Sequence, residues 1–251
     1  MVLPSRARAL DREPEGIGVD VRTREAQRMR AFGRIIVEAL MLAGLMALPA
    51  TAQGPDCIVI DDFSTGTVGQ FPAEWKARKD EGREVYVVLE EGGNRFLRAV
   101  SKGLGIQAAR AYEWGLQEYP VLTWSRRARQ FPESADERKG ATNDSGASLY
   151  VLVPHAKVRG PKAVKYIWSE RVPVGERLSS NGGLTQVRVQ RSGRDGADAW
   201  QEERVNARDD YQQFFKESAA PRAAGIAVLT DGDEPRSTAS GDYANFRAGR
   251  G

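Results

Sequence analysis

The sequence predicts an all-β fold, a jelly-roll-like antiparallel β-sandwich of about ten strands with one or two short helices. Three observations lead there. Short runs of alternating or β-branched residues recur from position 57 onward, turn residues cluster between them, and no helical period persists long enough to dominate. Strands separated by turns, without long helices between them, build sandwiches or barrels rather than parallel βαβ sheets. At 251 residues the chain suffices for one large β domain, and neither a Pro/Ser linker nor an internal repeat divides residues 53–251.

The N-terminal part stands apart from this pattern. Residues 29–52, MRAFGRIIVEALMLAGLMALPATA, read as a signal peptide. Arg30 and Arg34 supply the positive segment, residues 35–48 the apolar run, and Ala50-Thr51-Ala52 the small-x-small cleavage pattern, with the cut expected before Gln53. The run is short for a bilayer, which needs roughly 20 apolar residues, and Glu38 interrupts it. Residues 1–28 are polar, Arg-rich and unpatterned, and read as a non-native or disordered extension ahead of a start at Met29. The expected location is periplasmic or secreted, with no stable membrane insertion after cleavage.

The strands then follow in order. CIVIDDF (57–63) opens the series. REVYVVLE (83–90) and RFLRAV (95–100) flank Glu91-Gly92-Gly93-Asn94, a hairpin signal. YPVLTWSRRAR (119–129), SLYVLV (148–153), VKYIWSE (164–170), TQVRVQRS (185–192) and WQEERVN (200–206) continue it, and GIAVLTD (225–231) and GDYANFRA (241–248) close it. Helices are expected at DDYQQFFK (209–216) and in part of 110–117. Alternation puts Leu122, Trp124, Arg126 and Ala128 on one face and Thr123, Ser125, Arg127 and Arg129 on the other. It likewise groups Val164, Tyr166 and Trp168. Strand tryptophans mostly pack inward, and SRRAR reads as a solvated face rather than an anion site.

Composition excludes several functions. The chain has 37 basic and 34 acidic residues, but residues 1–52 hold eight of the former and six of the latter, leaving the remainder balanced to within one charge. No nucleic-acid groove or polybasic membrane patch is implied. Cys57 is the only cysteine and His155 the only histidine, which rules out an intramolecular disulfide and Cys- or His-rich zinc sites. His155, after Pro154, reads as a loop residue. The Gly-rich 101–105 and 179–184 lack the strand–turn–helix setting of a phosphate cradle and read as turns.

Carboxylates are plentiful, so any catalysis falls to Asp or Glu, as in glycoside hydrolysis. Asp62, Asp144, Glu170, Glu202, Asp231 and Asp242 stand on strands or strand ends. In a jelly roll the first and last strands often lie side by side, which would bring Asp62 to Asp242 as hard oxygen ligands for a structural calcium. The loop TDGDEPRSTASGD (230–242) fails as an EF-hand, with Pro235 and Arg236 at its fifth and sixth positions and Asp242 at the twelfth. Asp231 and Asp233 read as turn residues.

Taken together, DDFSTG, YPVLTWSRRAR, ATNDSGASLYVLV, VKYIWSE, WQEERVNARDDYQQFF and GIAVLTDGDEP…GDYANF resemble the bacterial family DUF3047 over essentially residues 61–246. The resemblance implies an exported single domain with a sandwich like those of carbohydrate-binding modules, and no established activity. Asp144, Tyr166, Trp168 and Asp210-Tyr211 match the family pattern. Arg126 stands where a second tryptophan is usual, and Ala147-Ser148 where an arginine follows the alanines.

Three functional readings result. The first is a non-catalytic module binding a carbohydrate or envelope polymer through Trp124, Arg126, Asp144, Tyr150, Tyr166 and Trp168, without a required cofactor. The second is a carboxylate-based glycan hydrolase. The third is a structural or interaction protein of the cell envelope. The first requires exposed aromatics on a groove or shallow face.

Overall fold

The computed structural model describes residues 55–155, 160–233 and 236–251. The signal-peptide and extension readings lie outside the described residues. Among the described residues thirteen strands form: β1 (Cys57–Asp61), β2 (Trp75–Ala77), β3 (Tyr86–Glu91), β4 (Asn94–Lys102), β5 (Ala108–Gly115), β6 (Val121–Gln130), β7 (Ala147–Val153), β8 (Lys162–Ser169), β9 (Arg177–Ser180), β10 (Thr185–Ser192), β11 (Gln201–Asn206), β12 (Arg222–Leu229) and β13 (Thr238–Gly249). Two short helices, α1 (Gly82–Val85) and α2 (Ala207–Phe215), complete the regular structure apart from 3-10 turns.

The strands build a sandwich of two sheets. One runs β11-β6-β13-β4-β3 with β1 also on β13, and the other runs β2-β5-β12-β7-β8-β10-β9. The first and last strands do lie side by side, Ile58 opposite Ala248. All pairings are antiparallel except β8 with β10, which runs parallel, Val187 opposite Lys165. The parallel pair follows from the excursion of residues 170–184, where β9 turns back before β10 returns.

The core fills the space between the sheets because each inner strand alternates. From β6, Leu122 and Trp124 point inward, and from β8, Val164 and Tyr166 meet them, with the Trp124 and Tyr166 rings 5.8 Å apart. A second aromatic cluster closes one part of the core, Phe63 on Trp75 at 5.7 Å and both on Phe246 at about 6 Å. Buried hydroxyls find partners, as interior polar groups must. Tyr243 of β13 donates to the Leu229 carbonyl at 3.1 Å and accepts from the Ser148 amide at 3.2 Å, tying the sheets together.

Helix α2 forms where a helix was expected but starts two residues earlier, at Ala207 rather than Asp209. The Asn206 side chain accepts from the Asp209 amide at 3.0 Å, satisfying an orphan donor of the first turn. Its buried face sends Tyr211 into the core, and Asp210 accepts from the Tyr166 hydroxyl at 3.0 Å. Residues 110–117, read as partly helical, instead lie mostly in β5. There β12 and β2 pair with the segment, and sheet hydrogen bonds on both edges override local propensity.

Candidate functional site

The six residues expected to bind a ligand do not share a surface. Trp124, Arg126, Tyr166 and Trp168 all point between the sheets and are buried. Arg126 is an inter-sheet strut: its Nε donates to Glu203 at 3.0 Å, its Nη1 to the Ala147 carbonyl at 2.8 Å and its Nη2 to the Ile167 carbonyl at 3.4 Å. Its guanidinium lies 5.7 Å from the Trp124 ring and 5.8 Å from that of Trp168. Burial lowers its pKa, an effect Glu203 opposes. Trp168 donates its indole N–H to the Gly193 carbonyl at 2.9 Å. Tyr150 lies on the opposite face of its sheet, beneath the Lys165 ammonium at 5.4 Å. Asp144 precedes β7 and is buried. Sheet burial on both faces removes these aromatics from any ligand.

The calcium pair is corrected as well. Asp242 is buried, and its carboxylate accepts from Arg98 at 2.7 and 2.9 Å and from Arg127 at 2.5 Å. The three lie abreast, Arg98 and Arg127 each directly opposite Asp242 on the flanking strands. Two guanidiniums occupy the approaches a cation would need. Asp62 instead accepts from the Ser64 amide at 3.0 Å, and the hydrogen bonds of Ser64 lower its pKa. Arg127, expected on a solvated face, is buried as well. His155 is exposed in a loop, as expected.

An open groove of about 940 Å³ runs over the outer face of the six-stranded sheet. Ser125 and Ala244, cross-strand neighbours on β6 and β13, lie in its lining, as does Phe96 of β4. Trp200, just before β11, forms an aromatic wall and keeps 37% of its surface exposed. It meets Phe96 edge to face at 5.5 Å, and the Arg127 guanidinium sits 4.6 Å from its ring. Both contacts fix the indole in place.

The polar groups of the groove are held by specific contacts. Arg127 donates to Glu91 at 2.7 Å, and Arg95 to Glu90 at 3.1 Å and to the Ser64 and Gly66 carbonyls. Asn245 sits at an irregularity of β13 with φ of 57°, and its amide reaches Ser125 Oγ at 3.3 Å. An extra residue in one strand re-aims a side chain in this way. Glu202 and Arg247 add exposed charges. The signal for this site lay in WQEERVN: alternation puts Trp200 on the same face as the exposed Glu202 and Arg204, not with the buried Glu203 and Val205.

A second polar cluster lies at the ends of β7 and β12. Asp144, Asp231 and Asp233 each place one carboxylate oxygen within 4.8 Å of the others. Burial raises the pKa of Asp231 to about 7; Lys165 opposes the rise, and Asp144 and Asp233 add to it. Burial works against the charge of Lys165, but Tyr150, Asp231 and Glu137 outweigh it and raise its pKa. Asp231, read as a turn residue, is thus a buried member of a charged cluster.

Fold and groove define a class, a two-sheet β-sandwich that presents an open polar groove with an aromatic wall on one sheet. Within it, the chain belongs to the family DUF3047, proteins of unknown function, whose profile matches residues 73–247. No curated protein matches it. Among solved structures it is similar to the family 11 carbohydrate-binding module of the cellulosomal cellulase Lic26A-Cel5E of Clostridium thermocellum, at 6% identity, covering 78% of this chain and 95% of that one with a TM-score of 0.41. It is also similar to the Clostridium thermocellum family 11 module in complex with a β-1,3-1,4-mixed-linked tetrasaccharide, at 7% identity, 76% and 94% coverage and a TM-score of 0.40. A thermostable cellulase derived from Cel12A of Rhodothermus marinus is a third, at 12% identity, 69% and 95% coverage and a TM-score of 0.36.

Proposed function

We propose that the groove on the six-stranded sheet binds a neutral glycan chain, and that the protein is a non-catalytic binding module exported to the cell envelope or beyond. The observation that carries this reading is Trp200, an indole locked by Phe96 and Arg127 yet exposed along an open polar groove. An aromatic face fits the C–H face of a sugar ring, and fixed amide, guanidinium and carboxylate groups orient its hydroxyls. The volume suits it, since ligand sites span roughly 300–1,000 Å³. Neutrality of the ligand follows from charge pairing. Arg127 is paired with Glu91 and Arg95 with Glu90, so the lining offers no strong field of either sign.

Binding is favoured over hydrolysis because acid catalysis needs a carboxyl held protonated near neutral pH. In the groove, Asp62 is held the other way, its pKa lowered by Ser64. The test is affinity electrophoresis of the protein through gels containing soluble β-glucans, mannans, xylans and anionic polysaccharides, with reducing ends measured in parallel. Retardation by a neutral polysaccharide without new reducing ends is the expected result. Retardation by anionic polymers alone, or release of reducing ends, would replace this reading.

A further inference from the structure

The groove runs across the strands of its sheet rather than along them. Its lining draws on five neighbouring strands in sheet order: Glu202 of β11, Ser125 of β6, Ala244 of β13, Phe96 of β4 and Glu91 of β3. Glu202, Ser125 and Ala244 are direct cross-strand partners, and one step beyond the pair Tyr243–Leu97 the same line reaches Phe96. Neighbouring strands lie about 4.8 Å apart, so the line from β11 to β3 measures roughly 19 Å. In an extended polysaccharide each ring advances the chain by about one such spacing, and the row therefore holds about four rings.

The aromatic anchor stands within this row, not at its end. Trp200 precedes β11, yet its indole meets Phe96 of β4 at 5.5 Å and the Arg127 guanidinium of β6 at 4.6 Å. β13 separates those two strands, so the ring reaches in over the middle of the sheet. Asn245 of β13, its amide tied to Ser125 at 3.3 Å, gives the same stretch a fixed polar group. The row continues past the indole in both directions, to Glu202 on one side and to Glu91 and Asn94 of the β3–β4 hairpin on the other. All three of these residues are exposed. Neither end has a buried wall against which a terminal ring would stop.

Building on the glycan reading of the groove, we propose that it takes an internal stretch of an extended neutral polysaccharide, about four rings long and lying across the strands. Trp200 anchors a central ring, and the chain leaves the groove at both ends. A single sugar or a chain terminus fills only part of the row and gains only part of its contacts.

The experiment is calorimetric titration of cello-, manno- and xylo-oligosaccharides, from disaccharide to hexasaccharide, into the full chain and Trp200→Ala. In the series that binds, affinity is expected to rise at least about tenfold from disaccharide to tetrasaccharide and to stay level beyond it. A hexasaccharide whose terminal ring has been reduced to the open alditol is expected to bind as well as its parent. Several proteins are expected to load onto each chain of the intact polysaccharide. Full affinity already at the disaccharide, loss of binding on reduction, or loading limited to the chain ends would overturn the internal-chain inference. If Trp200→Ala still weakens binding in those cases, the groove reading stands without it. Binding indifferent to Trp200→Ala, or absent throughout the series, removes the groove reading and this inference together.

Discussion

Arg126 shows how much one residue contributes when it is buried with its partners in place. Its guanidinium satisfies Glu203 and two carbonyls of the facing sheet while lying near two indoles. Arg126→Ala leaves those acceptors without a donor and opens a cavity, so a loss of about 3–5 kcal/mol is expected in urea unfolding. Arg126→Met, which fills the space without a charge, is expected to lose less. Asp231 sets a pH dependence at the same scale. Its folded pKa of about 7 lies above the ordinary 3.8, so the native state binds the proton more tightly than the unfolded chain. Its stabilising contribution is complete below pH ~4 and is lost as pH rises through ~7, by on the order of a few kcal/mol. The thermal midpoint is expected to fall across that range, and Asp231→Asn to flatten the fall. The sequence did not reveal this group, because an Asp-Gly-Asp run after an apolar strand has the composition of a plain turn. Only the pairing of β7 with β12 brings Asp144 to it.

The elements divide by how local their cause is. Strands β1, β3, β4, β6, β7, β8 and β10 to β13 were legible because alternation or a β-branched run marks each one. The β3–β4 turn was legible from Gly92-Gly93. β2, β5 and β9 were missed, since a three-residue strand carries no period and AARAYEWG is rich in helix formers. β5 is extended because β2 and β12 pair with its two edges. The predicted binding residues failed for a related reason. Alternation says which residues share a face, but not which face meets the other sheet, and the Trp124 and Trp168 faces both turn inward. Trp200 was readable as an outward aromatic just ahead of a charged strand. One backbone position in this layer has no tolerance. Gly225 of β12 holds a φ of 151°, and a Cβ there would overlap the carbonyl oxygen of Arg110 on β5. Gly225→Ala is expected to cost more than about 2 kcal/mol by separating β12 from β5, read as a lowered urea midpoint at unchanged slope.

At the scale of the whole molecule, charge and layering assign the two faces of the sandwich different tasks. The inner faces carry the aromatic core, and the Arg98–Asp242–Arg127 row braces three strands of the six-stranded sheet beside the groove. The groove's own ion pairs neutralise each other, leaving one aromatic wall to provide apolar contact. Affinity therefore rests disproportionately on Trp200, as binding energy concentrates in a few rigid aromatic anchors. The direct measurement is calorimetric titration of an oligosaccharide from a retarding neutral polysaccharide into the wild type and Trp200→Ala. Saturable binding to the wild type, weakened at least about tenfold (roughly 1.4 kcal/mol) in a variant with the same thermal midpoint to within a few degrees, is the expected result. Equal affinity in the two proteins would contradict the assignment of the groove.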